Sequence, residues 1–343
     1  MTLDERKKRI LWAIIQDYIA TAEPVGSRTL ARKYKLGVSP ATVRNEMADL
    51  EEMGFLEQPH TSAGRVPSHR GYRFYVDHLM QPEKLQDSEK ELVRVSFETK
   101  VKMISEVIQR TGQLLTQLSS YTAMVVSPCA SRTRLRHIQL VPMSRGQAML
   151  LVVLEPGIVQ HRMMELPPDL TVGDLEMISR VVNEKIKGSQ MSDLKLTIIR
   201  EIYAELLRHK SLVAMMMDLI EDSSRSKEDR IYLGGIFNIL NEPEFNNVER
   251  VKTLLGILEQ EELICNILND QDQPGVNVRI GSEISCEDIK DCSMIGANYE
   301  VDGQRIGSIA VLGPTRMQYA KAISVVEYLT ANLNEIMSKM YRS

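Results

Sequence analysis

Cysteine and aromatic residues are scarce in this chain, which holds 4 cysteines, a single tryptophan and 5% aromatic residues among 343 residues. So few cysteines in so long a chain provide no disulfide framework, and we expect reduced thiols in a cytoplasmic protein. Cys286 and Cys292 have neither the spacing of a redox motif nor that of a zinc site. A disulfide-stabilised secreted domain is thereby excluded.

Long apolar runs are also absent, because no run approaches the ~18–20 residues that a membrane-spanning helix needs. The charged start of the chain, MTLDERKKR, lacks the apolar core and small-residue cleavage site of a signal peptide. The sequence contains no Walker-type glycine loop, no Gly-x-Ser-x-Gly elbow and no zincin motif. We therefore expect no membrane partner, no enzymatic activity, no cofactor and no metal.

Charge is distributed unevenly along the chain, although the net charge is only −4. Residues 201–273 hold 7 basic and 15 acidic side chains, so a polyanion would be repelled there. Residues 28–44 hold five basic side chains and no acid, and residues 60–76 hold three arginines, two histidines and no acid. Such basic runs most often form solvated surface, so whether they indicate nucleic-acid binding depends on the surrounding sequence pattern.

The first 54 residues have the pattern of three helices. Apolar side chains recur at helical spacing over residues 4–21. Ser27 is expected to cap a second, short helix, and Ser39 with Pro40 to open a third that Gly54 closes. Two short helices joined by a glycine-containing turn are typical of a helix-turn-helix.

The third helix can be divided into two faces at ~100° per residue. Val43, Met47 and Leu50 fall on one face and are expected to pack inward. Four residues near the start of the helix then form the candidate base-reading set: Ala41, Thr42, Arg44 and Asn45. Arginine can bond guanine, asparagine can bond adenine, and small side chains can touch a thymine methyl group. The alternative is an ordinary three-helix packing unit.

A short hairpin is predicted next, with strands near residues 55–58 and 66–67 around a turn-rich loop. Three helices followed by such a hairpin indicate a winged helix, whose wing lies along the DNA backbone or in the minor groove. Gly64 is expected to free the turn, and the charge of Arg65 to remain uncancelled by neighbouring acids. The candidate phosphate and wing contacts are Ser27, Arg28, Ser39, His60, Arg65 and Arg70.

Three motifs in this region carry a resemblance to a known family. Residues 23–30 read EPVGSRTL, residues 39–51 read SPATVRNEMADLE, and residues 60–68 read HTSAGRVPS. With DGQRIG at 302–307 and LGPTRM at 312–317, they resemble the HrcA family of bacterial heat-inducible transcription repressors. The resemblance implies a homodimer that represses chaperone operons at the CIRCE inverted repeat. It also implies a GAF-like domain with an inserted dimerisation domain, and control by heat through the GroE chaperonin.

The remainder of the chain predicts an α+β fold. A proline-bearing linker precedes a long helical pattern at 89–118, and a second helix closes the chain at 317–340. Glu155-Pro156-Gly157 and Asp302-Gly303 are hairpin-turn signals. The expected domains are 1–80 winged helix, 81–90 linker, 91–200 GAF-like, 201–273 helical dimerising insertion, and 274–343 GAF-like.

Three alternatives remain at this point. Residues 201–273 could complete one larger core instead of forming an insertion. The chain could be a metabolite-responsive winged-helix regulator with a ligand in its GAF-like domain. The winged helix could instead bind protein, in which case salt-dependent DNA binding would be absent.

Overall fold

A computed structural model describes most of the chain and confirms a mixed helix and sheet fold. The described residues are 3–60, 63–98, 103–127, 135–144, 146–154, 158–167, 170–186, 202, 212–214, 216, 231–245, 247–269 and 274–342. The predicted turn at Glu155-Pro156-Gly157 lies outside them. Among the described helices, none combines the length and apolar character needed to cross a membrane.

The N-terminal part consists of three helices, a small hairpin and a fourth helix. These elements are α1 (Glu5–Thr21), α2 (Ser27–Lys33), α3 (Pro40–Glu52), β1 (Leu56–Glu57), β2 (Val66–Pro67) and α4 (His69–Phe74), which continues as a π-helical turn (Tyr75–Leu79). Ser39 caps α3 by accepting a bond from the Thr42 amide at 3.1 Å, and Pro40 is the first helical residue. Both were predicted.

One predicted cap is wrong. Gly26, not Ser27, is the N-cap of α2, and no side chain bonds to the first turn of that helix. Ser27 is therefore already helical. At the end of α3, Gly54 has a φ of +78° and lies one residue beyond the C-cap, as predicted.

Two helices replace the single long helix predicted over residues 89–118. Helix α5 spans Asp87–Glu98 and α6 spans Ile104–Ser119. Met103, which precedes α6, has extended backbone angles (φ −128°, ψ 141°). An α-helical hydrogen-bond ladder cannot run through such a residue, so the periodic apolar pattern belongs to two separate helices.

A five-stranded antiparallel sheet forms the main core of the chain. Its strands, in spatial order, are β7 (Ile231–Gly234), β3 (Thr122–Val126), β10 (Gln304–Pro314), β9 (Cys292–Val301) and β8 (Val276–Ile280). Helices α6 and α10 (Tyr319–Arg342) cover one face. Helices α8 (Val248–Leu258) and α9 (Glu261–Asn269) pack on the other face. Both faces of the sheet are therefore buried.

A separate three-stranded sheet lies between β3 and β7 along the chain. It contains β4 (Leu135–Ser144), β5 (Gln147–Leu154) and β6 (Ile158–Glu165), in that order. Helix α7 (Val172–Ile186) packs on one face and shares a second core with Leu150 and Val152. Strand β7, by contrast, belongs to the five-stranded sheet, and α8 and α9 pack on that sheet. Strand pairing thus brings segments that are distant along the chain into the same sheet.

Candidate nucleic-acid interface

Helix α3 presents the predicted base-reading residues on its outer face. Val43, Met47 and Leu50 are fully or nearly fully buried. On the opposite side Ala41, Arg44, Asn45 and, one turn later, Ala48 are exposed, and Thr42 is half-buried. The structure thus brings the four predicted residues together, with Ala48 as an addition that the sequence argument missed. Small side chains beside Arg44 and Asn45 allow the helix to approach a groove closely.

Two acids on α3 are paired with basic residues of α1. Glu46 is nearly buried and lies 2.7 Å from Lys7 Nζ and 3.2 Å from Arg6 Nη1. The same Lys7 Nζ lies 3.0 Å from Asp49 Oδ2. Hydrogen bonds to Glu46, and then to Asp49, raise the pKa of Lys7 above its usual range. These contacts neutralise acids that would otherwise repel phosphate, and they fix α3 against α1.

The basic run in α2 is only partly available to a ligand. Lys33 Nζ lies 2.5 Å from the buried carboxylate of Asp17, so this charge holds α2 against α1. Arg28, Arg32 and Lys35 are exposed. Together with Arg44 they are exposed basic side chains in a stretch, residues 28–44, that contains no acid.

The hairpin is tied to the connection between α1 and α2. Leu56 pairs with Pro67 and Glu57 with Val66, in an antiparallel register. Arg65 and Val25 add a bridge in which each amide donates to the other's carbonyl, at 2.9 and 3.0 Å. His60 is exposed in the loop, whereas the predicted loop residues Thr61 and Ser62 lie outside the described residues.

The expectation that no acid would cancel the charge of Arg65 is wrong. Its Nη2 lies 2.7 Å from Glu51 Oε2, and the side chain is only 20% exposed. Glu51 sits near the end of α3, which the hairpin folds back against. The charge of Arg65 is therefore shared with a carboxylate, and it reaches a phosphate only by exchanging that partner.

Arg70 packs on the protein surface while remaining exposed. Its Nη1 donates to the Met53 carbonyl oxygen at 3.0 Å, and its guanidinium lies 4.8 Å from the centre of the Phe55 ring. A cation at the C-terminal end of α3 is favoured by the helix dipole. Arg70 therefore links the end of α3 to β1. Any phosphate contact it makes would be additional to this role.

Gly64 permits a close approach rather than an unusual backbone conformation. Its φ is not positive, but a Cβ at this position would lie 2.4 Å from the Val25 carbonyl oxygen. No side-chain movement could relieve that overlap, because the opposing atoms belong to the backbone. The hairpin therefore needs glycine here in order to reach Val25.

We expect Gly64→Ala to detach the hairpin from Val25. The free energy of unfolding of the N-terminal helices and hairpin should fall by roughly 1–3 kcal/mol, as for other overpacked sites. Trp12, the single tryptophan, packs edge-on against Tyr34 at 5.9 Å and reports the transition by fluorescence. Gly256→Ala is the control, since nothing lies within 4 Å of its Cβ position. Equal melting of both variants would contradict the close-approach argument.

Comparison with known proteins identifies the family. Residues 105–323 match the family model described as the HrcA protein C terminal domain. Two curated relatives named heat-inducible transcription repressor HrcA are each 58% identical to this chain. The relative from Desulforudis audaxviator (strain MP104C) aligns over 100% of both chains. The relative from Pelotomaculum thermopropionicum aligns over 100% of this chain and 99% of its own.

One solved structure shares the fold across nearly the whole chain. It is described only as a hypothetical protein, with a TM-score of 0.63, 23% identity and 98% coverage of both chains. The family matches extend over the full sequence and include both the predicted reading helix and the sheet domain. HrcA proteins are DNA-binding regulators of the stress response, not enzymes. The chain therefore belongs to the HrcA family of heat-inducible transcription repressors.

Proposed function

We propose that residues 3–80 form a winged-helix domain that reads the CIRCE inverted repeat and thereby represses chaperone operons in the cytoplasm. The observation that carries this proposal is the exposed start of α3, where Arg44 and Asn45 stand beside Ala41 and Thr42. This set can bond guanine and adenine edges and contact thymine methyl groups in the major groove. The hairpin β1–β2 would be the wing.

Backbone contacts to DNA are proposed for the residues surrounding that helix. Arg28 and His60 are exposed, and Ser39 lies at the start of α3. Phosphate contacts orient the protein without selecting sequence, whereas contacts to bases select it. Ser27, Arg65 and Arg70 complete the proposed phosphate and wing set, with Arg65 exchanging Glu51 for a phosphate.

We further propose a homodimer that forms through the outer face of the three-stranded sheet. That face carries seven apolar side chains: Val141, Met143, Met149, Leu151, Val153, Val159 and Met163. Met143, Val159 and Met163 are 55%, 54% and 53% exposed. A sheet face rich in exposed apolar side chains, here with Gln139 and His161 on either side of Leu151, marks an interaction site, and a two-fold dimer matches an inverted repeat.

The proposed domain arrangement follows the strand pairing. The GAF-like domain would comprise residues 91–127 and 231–342, and the dimerising insertion would lie between β3 and β7 rather than at 201–273. Two contacts support this choice: β7 pairs with β3, and Leu254 and Ile264 pack on the five-stranded sheet. The acidic residues beyond 231 would then belong to the main domain.

The metabolite-responsive alternative requires a ligand site within the GAF-like domain. The sheet face opposite α6 carries Met124, Met294 and Leu312, which are covered by apolar side chains of α8 and α9. This packing disfavours a small-molecule site in that position. A ligand-dependent change in operator affinity would favour the alternative.

Fluorescence anisotropy of a labelled CIRCE duplex and a scrambled duplex, over a salt series, tests the proposal. We expect tighter binding to CIRCE and a steep loss of affinity with salt on both duplexes. The titration is repeated with GroE chaperonin, because the proposed control by GroE predicts that the repressor needs the chaperonin in order to bind its operator. Equal binding to both duplexes in the presence of chaperonin would contradict the operator assignment.

A further inference from the structure

A largely buried arginine of the main domain holds the end of α1. Arg316, in the segment between β10 and α10, is 12% exposed. Its Nη1 donates to the Ile19 carbonyl oxygen at 3.3 Å, near the C-terminus of α1. Its Nε and Nη2 donate to Glu244 at 2.6 Å and Glu242 at 2.5 Å. One guanidinium therefore connects the DNA-reading part of the chain with the main domain.

The groups around this arginine are poorly solvated, which makes the contact specific. Burial raises the pKa of Glu242, and the carboxylates of Glu242 and Glu244 are only 22% and 20% exposed. A charged pair in such surroundings depends on a fixed geometry, because a displaced partner would leave a charge without compensation. A lysine could not reproduce the fork, since its ammonium is a single point charge.

Other contacts between the two parts place α4 against the main domain. The Tyr319 ring packs at a tilt against Tyr72 and edge-on against Tyr75, with its centre 5.8 and 6.5 Å from theirs. Arg73 Nε donates to Glu283 at 2.9 Å. None of these contacts, nor that of Arg316, uses the outer face of α3. The docking therefore leaves the candidate reading face accessible while fixing its direction.

We propose that Arg316 is a positioning residue that sets the direction of α3 relative to the main domain, and so selects the spacing of two half-sites. This inference rests on the proposed function. Helix α1 is joined to α3 through Lys7 and Glu46, so holding α1 also holds α3. In a two-fold dimer the main domains relate the two reading helices, which must enter major grooves at a defined separation.

The test compares Arg316→Gln with the unaltered protein on three duplexes: one half-site, the CIRCE repeat, and the repeat with its spacer lengthened by about half a helical turn, roughly five base pairs. The unaltered protein should lose roughly 100-fold in affinity on the altered spacer, because only one half-site is then engaged. Arg316→Gln should lose less than about tenfold in affinity between CIRCE and the altered spacer. It should bind CIRCE more weakly than the unaltered protein does, and one half-site equally well.

Arg316→Lys is the second variant, and it should shift spacer preference in the same direction by less. Arg250→Gln is the matched control, because it removes an arginine paired with Asp291 within the main domain at 2.9 Å. Circular dichroism establishes that each variant is folded. Unchanged spacer preference in both Arg316 variants, or equal losses on one half-site and on CIRCE, would overturn the inference. If the unaltered protein does not prefer CIRCE to scrambled DNA, the proposed function itself is contradicted.

Discussion

Met163→Asp is expected to convert the proposed dimer to a monomer and to weaken operator binding roughly 100-fold or more, through loss of linkage between two half-site contacts. Met163 lies on the outer face of the three-stranded sheet and is 53% exposed. A carboxylate there would have to be desolvated if this face is buried against a second copy. Sedimentation velocity gives the association state, and anisotropy with CIRCE gives the affinity.

Met177→Asp is the matched control for that substitution. Met177 is also an exposed methionine of the same part of the chain, but it lies on α7, which covers the opposite side of the sheet. It should remain a dimer with normal affinity. A dimeric Met163→Asp variant, or a monomer in both cases, would contradict the proposed dimer surface.

Arg44→Ala is expected to cost about 1–3 kcal/mol of operator binding, roughly a 5- to 150-fold loss, and to relax selection at one base pair per half-site. Arg44 is exposed on α3, so we expect its truncation to leave the core intact. Because a contact to a base selects sequence, the loss of affinity should be confined to CIRCE, with little change on the scrambled duplex. The measurement is anisotropy on CIRCE variants altered at one base pair at a time.

Arg180→Ala, which removes an exposed arginine on α7, is the control for Arg44→Ala. It should bind both duplexes as the unaltered protein does. Equal losses on CIRCE and on scrambled DNA for Arg44→Ala would assign Arg44 to the phosphate backbone instead of a base. An unchanged affinity on both would remove Arg44 from the interface.

Structural features that depend on a few neighbouring residues were predicted well from the sequence. Ser39 and Pro40 begin α3, and Gly54 follows its end, because capping and proline geometry depend on the local backbone. The inward and outward faces of α3 also followed from its periodicity. Ser27 was misplaced by one residue, which is the usual limit of boundary prediction from capping residues.

Contacts between distant parts of the chain could not be predicted in this way. Glu51 neutralises Arg65, and Arg316 bonds a carbonyl 297 positions away. The pairing of β7 with β3 and the packing of α8 and α9 on the same sheet likewise depend on segments that are distant along the chain. Charge runs and composition describe sequence neighbours, whereas these partners become neighbours only after the chain has folded.

Replacing guanines of CIRCE one at a time by 7-deazaguanine would show whether α3 reads bases through Arg44. This replacement removes the N7 acceptor that a bidentate arginine uses, while base pairing is retained. We predict one guanine in each half-site whose replacement weakens binding of the unaltered protein but not of Arg44→Ala. If no guanine behaves in this way, or if both proteins lose affinity equally at every position, α3 does not read the operator through Arg44.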